Sequence, residues 1–175
     1  YAFPLLCKYN MKAVLSVVGQ YADDATGSKD HNPLYSYASW QEIKELSDSG
    51  VFEIGNHTYD MHKISGVRFG CAKIRGENEY TYNETLTADV MKLQNRFQDE
   101  LHYAPGIFTF PFGKESPEAF PALKNMGFHV LFTCREKVNR IGKSQEDLYT
   151  LGRYNRPHGI STDRFFRNFE KQLNP

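Results

Sequence analysis

Long apolar runs are missing from this sequence. No stretch of eighteen or more apolar residues occurs, which excludes a membrane-spanning helix. Net charge is missing too. The 21 basic and 21 acidic side chains cancel, so composition forces no strongly basic face and nucleic acid is not an expected partner. Cysteine is sparse: Cys7, Cys71 and Cys134 are widely spaced and form no CxxC pair. They read as three ordinary thiols, not as a disulfide framework, and leave the redox compartment open. No signal-peptide pattern, internal repeat or low-complexity linker stands out. What is present is ample apolar material, 40% of 175 residues with 14% aromatic. That is enough for a globular domain with a real core.

Strand and helix signals alternate. "YAFPLLCKYN" reads as a helix with Phe3, Leu5, Leu6 and Tyr9 available for one face. "MKAVLSVVG" is a β-branched run ending at glycine and predicts a buried strand. "QYADDATGSKDHNPLYSY" is polar with Gly and Pro breakers and predicts a long loop. In "SWQEIKELSDSG" Ser39 and Glu42 form a capping box and Gly50 a stop. "VFEIGN" predicts the second strand, and an irregular, Gly-rich, charged segment follows. From about Asn83 a long helix should bury Leu86, Val90, Leu93, Phe97 and Leu101. "GIFTFPFG" predicts a third strand, closed by Pro111 and Gly113. "SPEAFPALKNMG" predicts a helix capped by Ser116 with Pro117 at its first position. "FHVLFTC" and "LYTLGRYN" predict two more strands. "STDRFFRNFEKQL" predicts a last helix, capped by Ser161 and burying Phe165 and Phe169. Such alternation argues for an α/β fold, a parallel sheet or an α/β barrel, with function at the carboxyl ends of the strands.

Three stretches lie just past predicted strand ends: "NHTYDMH", "FPFG" and "RYNRPHG". Imidazole is a good ligand for Zn²⁺ and related divalent ions, and a catalytic zinc site needs about three protein ligands. His57 and His62 supply two if the loop between them curls back. Asp60, between them, is a candidate ligand or ring-orienting partner. On spacing alone, a pair of surface loop histidines is an equal alternative. His31, His102 and His129 read as structural or solvated. His158 reads either as a loop residue beside Pro157 or as a group reaching the same mouth. Asp23 and Asp24 read as loop acids.

"FEIGNHTYDMH" resembles the second motif of the polysaccharide deacetylases, the NodB-homology domain of carbohydrate esterase family 4. The wider spacing of its histidines resembles the branch of the poly-β-1,6-N-acetylglucosamine deacetylases. The opening "YAFPLLCKYNMKAVLSVVG", the lead-in "SYASWQEIKELSDSGV", the stretch "GIFTFPFGKESPEAFPALKNMGF" and "LGRYNRPHGIS" also resemble family segments, so nearly the whole chain is covered. The resemblance implies a single domain over 1–175 with a distorted (β/α) barrel of fewer than eight strands. It implies metal-dependent removal of acetyl groups from an N-acetylglucosamine-containing polysaccharide, outside the cell or in its envelope. It gives His57 and His62 to a divalent metal: Zn²⁺, or Co²⁺ or Ni²⁺. His158 would protonate the leaving amine. Thr58, Phe110, Pro111, Phe112, Gly113 and Tyr154 would meet substrate, with Phe110 or Phe112 and Tyr154 offering apolar surface to a sugar. For Trp40 the core is favoured.

The family's first motif, a strand ending in two aspartates, has no counterpart where it is expected ahead of Tyr1. One of those aspartates is the general base and the other the third metal ligand. The expectation is a chain lacking its first strand, with weakened metal affinity, little activity and an exposed sheet edge open to self-association. The third-motif arginine is also absent from "FTFPFG"; Arg153 is the nearest substitute. The alternatives are a non-catalytic carbohydrate-binding relative and a hydrolase of small amides or O-acetyl esters.

Overall fold

The structure, a computed structural model, describes residues 2–29, 32, 36–64 and 67–173. His31 therefore lies outside the described residues. Four parallel strands form one sheet in the order β1-β2-β3-β4: β1 (Ala13–Val17), β2 (Phe52–Asn56), β3 (Ile107–Thr109) and β4 (Val130–Phe132). β1 and β2 run in register from Ala13 opposite Phe52 to Val17 opposite Asn56. Among the described residues the sheet stays open, in keeping with the incomplete barrel expected from the sequence. The predicted fifth strand contracts to a single parallel bridge, Leu151 to Phe132. Beyond it, the Arg153 N–H still reaches the Arg135 carbonyl at 3.0 Å.

Among the described residues six α-helices accompany the sheet: α1 (Ala2–Lys8), α2 (Gly19–Gly27), α3 (Trp40–Asp48), α4 (Glu79–Leu101), α5 (Ala119–Asn125) and α6 (Thr162–Leu173). The Ser39 capping box forms as read, with both reciprocal hydrogen bonds. α4 starts earlier than expected because Asn78 caps it, its side chain accepting from the Thr81 N–H at 2.8 Å. α2 corrects the loop expected there. It buries Ala22 and Ala25, small side chains that leave no apolar stripe in the sequence. α5 begins after Glu118, not at Pro117, because the Ser116 hydroxyl accepts from the Lys73 N–H instead of capping. In α6 Phe165 and Phe169 are half-buried. In α1 most apolar side chains stay exposed, with the Phe3 ring 5.9 Å from that of Phe52.

α4 lies under both halves of the core. Its Leu86 and Val90 pack with Phe108, Phe110, Leu123 and Phe128, while Leu93, Phe97 and Leu101 pack with Trp40, Ile43 and Ile54. Among the described residues no helix is long and apolar enough to cross a membrane.

Candidate functional site

The site begins where β2 ends. Asn56 is fully buried, and its amide N–H groups reach the Val90 carbonyl at 3.1 Å and Gln94 Oε1 at 3.2 Å. Its Oδ1 accepts from the Thr58 N–H at 2.8 Å and so bends the chain just past the strand. Thr58 takes a left-handed conformation, φ +73°, and is fully buried. Asp89 on α4 holds the next two residues, its carboxylate accepting from the N–H groups of Tyr59 at 2.8 Å and Asp60 at 2.9 Å. On the other side the His57 N–H reaches the Val17 carbonyl, while Gly19 and Gln20 donate to Thr58 and Tyr59. Gly19 is needed there, since a Cβ would stand 2.5 Å from the Tyr59 ring.

This scaffold brings the two imidazoles together. The rings of His57 and His62 lie 4.8 Å apart, inclined at 53°. His57 Nδ1 sits 2.7 Å from the Thr109 carbonyl oxygen, which can only accept, so Nδ1 carries the proton and Nε2 keeps its lone pair. A histidine oriented by a backbone carbonyl is a recurring arrangement for a metal ligand. Burial pushes the His57 imidazole down to about 4; its bond to Thr109 opposes this, and the His62 and Arg153 charges add to it. The ring is therefore neutral, as a ligand must be. His62 is held between rings, Phe112 at 4.4 Å and the edge of Tyr21 at 6.0 Å, and its carbonyl accepts from the Tyr21 hydroxyl at 3.1 Å. A cavity of about 230 Å³, lined in part by Ser16, Val17, Tyr21, Tyr37 and Ile43, opens beside His62.

The other expected residues divide. Phe112 and Gly113 form an exposed to half-exposed turn beside the imidazoles. The Phe110 ring is in the core, fully buried against Phe108 and Phe120, and offers no surface to a sugar; Phe112, 37% exposed, is the available one. The side chains of Pro111 and Thr58 are also buried, and Thr58 Oγ1 has no hydrogen-bond partner among the described residues. Tyr154 packs on Phe169 at 5.1 Å and donates to Gln172 at 2.5 Å, so it fastens α6. With Cys134, Arg153 and Asn155 it also lines a depression of about 470 Å³. Arg153 donates to the Thr133 carbonyl at 3.1 Å. His158 is exposed in a turn after Pro157. Asp60 points away to Lys63, and Asp23, on α2 and not in a loop, binds Trp40, Tyr59 and Arg96. Trp40 is in the core, 2% exposed.

His57 and His62 fit a divalent ion as two of its ligands. A complete set is not present among the described residues, where no group of three His, Cys, Asp or Glu side chains gathers. Sequence reasoning missed Asn56 and Asp89, whose partners lie about thirty residues away along the chain. The one sequence signal was a polar Asn directly after Ile54 and Gly55, on the inward-facing end of the strand.

A model of the polysaccharide deacetylases matches residues 1–131. The poly-β-1,6-N-acetyl-D-glucosamine N-deacetylase of Escherichia coli K12 is 24% identical over 151 residues, 75% of this chain and 22% of that protein. Its Staphylococcus aureus MRSA252 namesake is 24% identical over 148 residues, 85% of this chain and 47% of that protein. The chain thus spans less than half the length of either curated relative. IcaB from Ammonifex degensii superposes with a TM-score of 0.71 at 26% identity, covering 95% of this chain and 64% of that one. A de-N-acetylase from Aggregatibacter actinomycetemcomitans gives 0.75 at 22% identity, covering 95% and 68%. These two share the α/β fold with its parallel sheet. With most of its length matched by the family model, the chain belongs to the polysaccharide deacetylase family.

Proposed function

We propose that this chain carries the metal-binding and substrate-lining part of an enzyme that removes N-acetyl groups from an N-acetylglucosamine-containing polysaccharide at the cell envelope or outside the cell. The observation that carries the reading is the close approach of His57 and His62, 4.8 Å between ring centres, at the carboxyl edge of a parallel sheet, with His57 oriented by Thr109. The names of the curated relatives support the substrate class.

In this reading His57 and His62 hold a divalent ion, Zn²⁺ or alternatively Co²⁺ or Ni²⁺. Such an ion polarises the acetyl carbonyl and lowers the pKa of a water molecule. Thr109 keeps the proton on His57 Nδ1 and so keeps Nε2 available. Phe112 packs against the His62 ring at 4.4 Å and so limits its rotation. Within the turn after β3 the N–H groups of Gly113 and Lys114 are taken by the carbonyls of Phe110 and Pro111, and Pro111 has none. The N–H of Phe112 is the backbone donor assigned to the acetyl oxygen as negative charge develops there. His158 is assigned the proton that the departing amine needs. No acidic side chain among those described is assigned the role of base, since Asp23 and Asp60 are engaged elsewhere.

That last point favours a second reading, a carbohydrate-binding relative that keeps the fold without the chemistry. Two measurements separate them. Titration of the metal-free chain with Co²⁺ should give ligand-field bands that His57→Ala and His62→Ala each abolish. Acetate release from β-1,6-linked N-acetylglucosamine oligomers should require the same two residues and fall about 10²- to 10⁴-fold in His158→Ala, with Co²⁺ binding unchanged. Oligomer binding without acetate release establishes the second reading.

A further inference from the structure

Two histidines four apart on a helix share a face because the helix's own hydrogen bonds hold them there. His57 and His62 have no such support. They are five apart, outside any helix or strand, and among the described residues no backbone hydrogen bond closes the turn between them on itself. The shape of that turn is imposed by its surroundings. The carbonyls of Thr58 and Tyr59 are taken by Gly19 and Gln20. The Thr58 N–H goes to Asn56, and the next two N–H groups, of Tyr59 and Asp60, both go to the carboxylate of Asp89, at 2.8 and 2.9 Å. Asp89 comes from α4, where the neighbouring Val90 carbonyl accepts from Asn56. α4 therefore grips the chain before and after the left-handed Thr58.

The two imidazoles are not held alike. His57 is fixed twice over, by its N–H on the Val17 carbonyl and by its ring on the Thr109 carbonyl. His62 is placed by packing against Phe112 and by the bond from Tyr21 to its carbonyl. The stretch that joins the well-held ring to the lightly held one is the stretch that Asp89 clamps. We propose that Asp89 is a positioning residue of the metal site: it sets His62 against His57 through the backbone between them, and touches neither ion nor substrate. The inference rests on the metal-binding reading of the two histidines and adds what holds them ready. A carboxylate is needed for this. Its two oxygens accept two N–H groups at once, whereas an amide offers one oxygen and a nitrogen that only donates. Asn at this position satisfies one N–H and opposes the other.

The test is Co²⁺ titration of the metal-free chain, followed by its ligand-field bands, with NMR of the imidazole nitrogens before metal is added. Asp89→Asn should weaken Co²⁺ binding about 10- to 100-fold, the usual cost of losing a support behind a ligand. Without metal, its His62 ring signals should shift while those of His57 stay in place. Asp89→Glu keeps both acceptor oxygens and should recover part of the lost affinity. Two controls separate positioning from charge and from stability. Asp60→Asn removes a nearby charge already paired with Lys63 but leaves the clamp, and should keep Co²⁺ affinity within about twofold. Leu86→Val loosens the core one turn back along α4, and should lower the urea midpoint without changing Co²⁺ affinity. Wild-type Co²⁺ affinity in Asp89→Asn, or an equal loss in either control, overturns the positioning role and leaves the metal site standing. If the wild type itself binds no Co²⁺, the metal reading fails, and the role of Asp89 with it.

Discussion

The carboxylate of Asp23 accepts from Trp40 Nε1 at 2.7 Å, from the Tyr59 hydroxyl at 2.8 Å and from the Arg96 guanidinium at 2.8 Å. It joins α2 to α3, to α4 and to the turn that bears the histidines. Burial pulls its carboxyl up, but the hydrogen bonds from Trp40, Tyr59 and Arg96 outweigh this and leave it below the usual range. The sign follows from that depression. The stability contributed is complete above the unfolded value of 3.8 and is lost as pH falls through the lower, folded value. Asp23→Ala leaves an indole N–H, a phenol and a guanidinium short of an acceptor, and should cost about 2–4 kcal/mol in urea unfolding at pH 7. Below pH 3 the difference between wild type and variant should shrink. A constant difference across that range would show that Asp23 acts by packing alone. Tyr59 also neighbours the His57 turn, so the same variant should loosen Co²⁺ binding without removing a ligand.

At the scale of elements, what could be read from the sequence was local. The Ser39–Glu42 box, the apolar face of α4 and the strand before His57 each state themselves within a few residues. What could not be read depends on distant partners. α2 owes its place to Asp23, whose bond to Arg96 joins residues 73 apart, and to alanines that carry no periodic apolar signal. The turn holding the two imidazoles depends on Asn56 and Asp89, polar groups that bury only because α4 passes over them. The fifth strand failed for the converse reason: "LYTLGRYN" has strand composition, but only Leu151 finds a bridge on β4. α6 shows how lightly a correctly read element can be attached. It leans on Tyr154 through Phe169 and Gln172, with Arg156 5.2 Å from the Phe165 ring centre. Tyr154→Ala should therefore speed amide exchange throughout α6 about tenfold or more, while α4 amides stay as they are. Faster exchange in neither helix, or in both, would mean that α6 is anchored by something other than this ring.

For the whole molecule the decisive element is α4. The sheet is only four strands wide, and its short β3 and β4 give it few ladder bonds. Cohesion must come from side chains, and α4 supplies them to both halves, Leu86 and Val90 to one and Leu93, Phe97 and Leu101 to the other. The buried Asn56–Gln94 pair sits between these halves, and Gln94 also donates to the Pro105 carbonyl at 2.9 Å. One helix shared by two clusters predicts one cooperative unit. The protein carries its own reporter for this, since its sole tryptophan, Trp40, belongs to the second cluster. Leu86→Ala opens a cavity in the first cluster and should cost about 3–5 kcal/mol. Trp40 fluorescence and far-ultraviolet circular dichroism should nevertheless move together to the same lower urea midpoint. If the fluorescence midpoint stayed at the wild-type value while the dichroism shifted, the halves would be separate units. The histidine turn, packed from β1 and α2 on one side and α4 on the other, would then be held by a joint that opens by itself.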